Sequence, residues 1–216
     1  MPVLAPSEYD ERYFFGNRFP DGGHPAGYSN YARWHRTDLN WPGGSLGEYY
    51  LDVAAQYVNF NSVQNKAALE LGCALGLLIE DMRLDYGVDA WGVEADQGAG
   101  VSYARDQADP TIQPYIKVGN LVTTDLMDSP FDFARNQFDV IFGRGFLASL
   151  DPADVQAVLD NCDAAGKAFF FEVWDDASLA NPTYYNLQAL QWWEANYNWP
   201  RSTVLVSRST GAEVRP

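Results

Sequence analysis

An α/β fold, with a mostly parallel central sheet of about six or seven strands flanked by helices, is what the sequence predicts, on three observations. From Ala67 onward short apolar runs alternate with helical stretches: AALEL, LLIEDMRLDYG, AWGV, QGAGVSYARDQ and YIKV. That alternation is the pattern of βαβ units. The first run leads directly into a glycine turn, LELGCALG at Leu69 to Gly76. Glycine permits turn dihedrals and close backbone approach, so a strand, glycine turn and helix in succession aim N–H groups at a ligand. The second run ends in WGVEAD, which places Glu94 where an acidic residue commonly takes ribose hydroxyls. The three together point to adenosine bound on a Rossmann-like sheet.

The elements follow in order. Residues 1–44 are crowded with Tyr, Phe and Trp and broken by FPDGGHPAGY and NWPGG, so they read as an irregular aromatic arm. In SLGEYYLDVAAQYV, Tyr50, Val53, Ala54 and Tyr57 recur as one helical face, predicting a helix over Ser45 to Val58 with Ser45 as N-cap. AALEL is the first strand. The helix after the turn repeats Ile79, Met82 and Tyr86, with Gly87 as a left-handed stop. AWGV, YIKV and FDVIF supply three further strands, with QGAGVSYARDQ as a helical stretch between the first two of them. In DPADVQAVLDNCDAAG, Asp151 caps, Pro152 opens the first turn, Val155, Val158, Leu159 and Cys162 form the apolar stripe, and Gly166 is the stop. KAFFFEVW is the fifth strand. A Trp-rich helix at roughly Thr183 to Tyr197 and a sixth strand, STVLVSRS, complete a domain spanning 45–216.

The 216 residues suffice for one well-buried core. A net charge of -15 leaves no basic patch for phosphates, so nucleic acid is not an expected partner. A negative field also favours a cationic ligand modestly. No apolar run approaches the length of a membrane helix, and the N-terminus lacks a basic region followed by an apolar stretch. A cytoplasmic protein without a membrane partner is the expectation. Two cysteines, Cys73 and Cys162, make no disulfide framework, and no His, Cys and carboxylate cluster has metal-ligand spacing. Trp192, Trp193 and Trp199 suit the core or a dimer contact.

With LELGCALG, WGVEAD, YIKVGNL and FDVIFGRGFLASLD in this order, the chain resembles the class I S-adenosylmethionine-dependent methyltransferases over roughly Ala67 to Trp174. The resemblance implies that Glu70 and the turn Gly72, Cys73, Ala74, Leu75 and Gly76 hold the methionine end of S-adenosylmethionine. It gives Glu94 the ribose, Asn120 the adenine amine and Leu121 the adenine ring, and it places Gly143 and Arg144 of GRGF beside the methyl group. A narrower likeness is to small members with an aromatic arm, here Tyr13, Phe14, Phe15, Gly27, Tyr28, Tyr31 and Arg33, many of which methylate small molecules or sugars. By that likeness the arm closes over the cofactor, with Tyr28 touching it. The chain departs from the family at Ala74, where a second glycine is usual, at Leu75, where those relatives often carry Lys, and at Asn120, where Asp is usual.

Each residue also has a plainer reading. Asp96 competes with Glu94 for the ribose, and Asn120 suits a turn. Arg144 suits either an ion pair with Asp139 or a grip on a substrate carboxylate. His35 is the candidate general base if the acceptor is an oxygen, because histidine titrates near neutral pH. The turn reads G-x-A-x-G rather than the dinucleotide G-x-G-x-x-G, which separates it from an oxidoreductase site. The expected function is in-line methyl transfer to a small-molecule or sugar acceptor. The alternatives are a non-catalytic module that keeps the fold and a nucleotide-dependent oxidoreductase.

Overall fold

The computed structural model describes residues 46–57, 66–174, 188–208 and 213–214. Helix α1 is Leu46–Tyr57, strand β1 Ala67–Leu71, α2 Leu77–Leu84, β2 Asp89–Ala95, α3 Tyr103–Gln107 and β3 Ile116–Gly119. These are followed by β4 Val140–Arg144, α4 Pro152–Asp163, β5 Phe169–Trp174, α5 Leu190–Asn196, β6 Thr203–Arg208 and β7 Glu213–Val214. The strands form one sheet in the order β3-β2-β1-β4-β5-β6-β7. Every neighbouring pair is parallel except β6 with β7. The chain order reverses between β1 and β4, which is where such sheets open a crevice at the C-terminal ends of their strands.

Side chains alternate across a strand, so the register sorts the core into two layers. On one face Ala68, Ala90, Phe142, Phe170 and Val206 pack with Tyr50 and Leu51 of α1 and Leu78, Ile79 and Met82 of α2. On the other, Leu69, Leu71, Val93, Ile141, Phe169 and Phe171 pack with α4 and with Leu190 and Trp193 of α5. Both faces are buried, which is why the strands read as nearly continuous apolar runs rather than as alternating ones. Each fully buried Phe stabilises the fold by about 2–3 kcal/mol relative to exposure.

Most predicted elements stand where the sequence places them. Helix α4 starts at Pro152 with the Asp151 side chain accepting from the Ala153 N–H, and Val155, Val158, Leu159 and Cys162 are buried. Three details differ. Gly166 has no left-handed turn to make: a Cβ there would lie 2.8 Å from Ile141 Cδ1 and Phe169 Cζ, so it serves packing rather than termination. The Trp-rich helix is shorter, Leu190–Asn196, with 188–189 outside it and 183–187 outside the described residues. The polar tail supplies a seventh strand that six apolar runs did not announce, because a two-residue edge strand needs backbone pairing and no apolar face. Trp193 is fully buried, and Trp192 and Trp199, partly buried, pack against the same core. Ser45, the expected N-cap of α1, and the arm of residues 1–44 lie outside the described residues.

Among the described residues no helix is long and apolar enough to cross a membrane, and no group of three His, Cys, Asp or Glu is placed to hold a metal.

Candidate functional site

The turn after β1 is fastened from two sides. The N–H groups of Gly72 and Cys73 donate to Val93 O at 2.9 and 3.1 Å, and Gly76 N–H donates to Cys73 O at 2.9 Å. Gly72 and Gly76 have φ of 67° and 72°, a region that L side chains avoid. A Cβ on Gly72 would also fall 2.7 Å from Phe146 Cδ2, so the GRGF segment packs directly on the turn. Ala74 adopts φ 51° despite its Cβ, at a cost of about 1–2 kcal/mol. What holds it there is a 2.6 Å hydrogen bond from its N–H to Glu94 Oε2.

Glu94 therefore belongs to the turn as well as to the tip of β2. Its other oxygen accepts from the Ala95 N–H at 3.0 Å. Burial pushes its carboxyl up, and those two N–H bonds partly offset the rise. Glu70 is also buried, and its Oε2 has no hydrogen-bond partner. Burial raises its carboxyl well above the ordinary range, and the charges of Glu94 and Glu172 raise it further. Cys73 Sγ would lie 2.4 Å from a Cβ on Gly92, which explains the glycine in WGVEAD. Burial, then Glu94 and Glu70, push the Cys73 thiol well up, so it stays a thiol.

The remaining candidates are distributed differently. Asp96 Oδ1 accepts from the N–H groups of Gly98 and Gly100, so it shapes its own loop. Asn120 Oδ1 accepts from Val122 N–H at 2.9 Å, the Asx-turn arrangement. Leu121 is 6 % exposed and sits in the core, with its carbonyl taken by Asn161 Nδ2 at 2.7 Å. Gly143 lies opposite Leu71 and Phe171 in register, and a Cβ there would meet Phe171 Cδ1 at 2.4 Å. It thus faces the α4 layer, away from Glu70 and Glu94. Arg144 is on the carboxylate face, its guanidinium 5.9 Å from the centre of the Tyr50 ring. Asp139 is held by Lys167 Nζ at 2.8 Å and the Ala67 N–H at 3.0 Å rather than by Arg144. Burial raises the Asp139 carboxyl, but those bonds and the Lys167 and Lys66 charges prevail and hold it below the usual range. Tyr28 and His35 lie outside the described residues.

Two residues at this end of the sheet escaped the sequence reading. Tyr50 is fully buried, and its hydroxyl donates to Glu172 Oε2. The signal was present in FFFEVW, where a lone carboxylate interrupts an aromatic strand. An open cleft of about 550 Å³ lies at the opposite pole, lined by Arg135, Asp160, Asp163, Trp199 and Arg201 among others. Its residues precede β6 or end α4, so it is remote from the carboxylates.

No family model matches the chain, and no curated protein does. Among solved structures, a SAM-dependent methyltransferase from Archaeoglobus fulgidus is similar at 14% identity and a TM-score of 0.41, with 65% of this chain and 54% of that one covered. An S-adenosylmethionine-dependent methyltransferase from Clostridium acetobutylicum is 14% identical with a TM-score of 0.45, covering 66% and 54%. The SAM-bound amino pentose methyltransferase CalS10 of Micromonospora echinaspora is 20% identical with a TM-score of 0.40, covering 58% and 48%. The chain spans about half the length of these structures. By its own strand order, parallel pairing and glycine turn, the chain has a Rossmann-like α/β fold with its carboxylates gathered at the crevice.

Proposed function

We propose that the chain is an S-adenosylmethionine-dependent methyltransferase acting on a small-molecule or sugar acceptor. The observation that carries this reading is the buried Glu70 carboxyl, unpartnered at Oε2, two residues before a turn whose backbone is bound to a second buried carboxylate, Glu94. A buried acid without a partner is costly, and a cationic ligand relieves that cost. S-adenosylmethionine fits on chemistry, since it carries an ammonium and a sulfonium, and when bound it supplies a methyl group already activated for transfer.

The chain's own residues bind, orient and exclude water. Glu70 meets the ammonium, and the turn from Gly72 to Gly76 offers backbone N–H groups. Glu94 takes ribose hydroxyls while still fastening Ala74. Phe146 and Tyr50 keep the floor dry. With Oδ1 accepting from Val122 N–H, Asn120 keeps a second lone pair and its amide N–H groups for adenine. The aromatic arm, with Tyr28 and His35, completes the pocket in this reading, and His35 takes a proton if the acceptor is a hydroxyl.

Calorimetry with S-adenosylmethionine, its demethylated product and NAD tests the proposal. Binding of the first two and not of NAD is the expected result. Failure of both to bind overturns it, and NAD binding alone would favour the oxidoreductase reading.

A further inference from the structure

The cleft at the pole opposite the crevice is built from three segments tied to one another. Gln156 joins helix α4 to the loop before β6: its Oε1 accepts from the Asn198 N–H at 2.8 Å and its Nε2 donates to Asn198 O at 3.1 Å. The loop before β4 is fixed to the C-terminal end of α4 by the Asn136 N–H, which donates to Ala164 O at 2.9 Å. Arg201 links the two loops, its Nη2 donating to Asn136 Oδ1 at 2.9 Å. Leu159 and Pro200 are buried, and the half-buried Trp199 ring is held by a bond from its Nε1 to Trp193 O at 3.2 Å. About 550 Å³ is left between these walls, the size of a small-molecule site.

The charges on these walls come as two pairs of opposite sign. Arg135 and Arg201 supply guanidiniums, and Asp160 and Asp163, neighbours on one face of α4, supply carboxylates. Among the described residues no ion pair joins either arginine to either aspartate, although all four line the same cleft. The Arg135 and Asp163 side chains have no partner among the described residues, Arg201 keeps the rest of its donor fork, and Asp160 keeps one oxygen beyond the one that accepts from Gln156 Nε2 at 2.8 Å. A simple anion would meet the aspartates, and a simple cation the arginines. A zwitterion satisfies both pairs at once. We propose that this cleft is a binding site for a free amino acid with an apolar side chain. Its carboxylate lies on the Arg135 and Arg201 forks, its ammonium on Asp160 and Asp163, and its side chain on the Trp199 ring and Pro200. All four charges are exposed, so each contact is modest and screened by salt, and selectivity comes from the set. The site uses no residue of the proposed function and stands independently of it.

The test is an NMR titration of the full chain with L-phenylalanine, following the backbone amide and indole N–H resonances. Saturable shifts at Asn198, Arg201 and the Trp199 indole are expected. Affinity should be about fivefold or more above that for phenethylamine, which lacks the carboxylate, and for hydrocinnamate, which lacks the ammonium. Arg135→Gln and Asp163→Asn change exposed side chains and should leave folding intact while each weakens binding about three- to fivefold. Equal affinity for the three probes, unchanged affinity in either variant, shifts confined to the crevice around Glu70, or no shift at all overturns the proposal.

Discussion

Glu94 stands one residue before the end of β2, at the crevice end of the sheet, and one of its carboxylate oxygens holds the strained Ala74 N–H. Replacing it removes a hydrogen bond from the turn and, under the proposed function, one from the ribose as well. Glu94→Ala should therefore weaken S-adenosylhomocysteine binding at least tenfold, the worth of about 1.5–3 kcal/mol, as read by calorimetry. Unchanged affinity would move the ribose to another group. Ala74 offers the complementary experiment. Its φ of 51° costs about 1–2 kcal/mol, and glycine would remove that strain while adding about 0.5–1 kcal/mol of chain entropy to the unfolded state. Ala74→Gly should thus raise urea stability by up to about 1.5 kcal/mol. A loss of stability would show that the Cβ contributes packing that outweighs the strain. The sequence marked Ala74 as a departure from glycine, but only the dihedral shows that the alanine still makes the glycine's turn.

Elements explain where the glycine readings had to change. In β4, Gly143 belongs to the face that packs on α4, since period two puts it with Leu71 and Phe171 rather than with Arg144. Gly143→Ala should cost about 1–3 kcal/mol by overpacking against Phe171, measured by denaturant unfolding. If the variant is as stable as wild type while ligand affinity collapses, the glycine serves the ligand and the packing account fails. The caps show the opposite case, in which local sequence suffices. Asp151 satisfies the Ala153 N–H within its own turn, so no distant residue needed to be known for the start of α4 to be legible. Helix α1 is intermediate. Of its predicted apolar face Tyr50 is buried, the side chains of Val53, Ala54 and Tyr57 lie outside the described ones, and its seat was not legible: Gly47 N–H donates to Asp81 Oδ2 at 2.6 Å, a contact that brings α1 against α2 across 34 residues of chain.

For the molecule as a whole, the buried acids couple stability to pH. Glu70 and Glu94 hold protons more tightly when folded than their ordinary value of 4.5 allows, chiefly through burial. A raised carboxyl binds more protons in the folded state, so its contribution is fully present below about pH 4.3, the unfolded range, and is lost as pH rises through the folded value. Ligand-free stability from these groups should fall with rising pH, and Glu70→Gln should flatten that slope in urea titrations across pH 4 to 8. A steeper slope in the variant would assign the effect elsewhere. By itself the sequence determined the α/β class, the strand-turn-helix that places Glu70 and Glu94, and the caps of α4, because these rest on periodicity and on contacts within a few residues. The tertiary structure decided that Tyr50 and Glu172 are joined on the sheet face that carries Glu70 and Glu94, that Gly143 faces the other way, that the Asn120 oxygen closes its own turn, and that a seventh strand lines the edge. Those facts depend on register between strands and on which helix covers which face, and burial, which sets the charge of the site, exists only once the layers have closed.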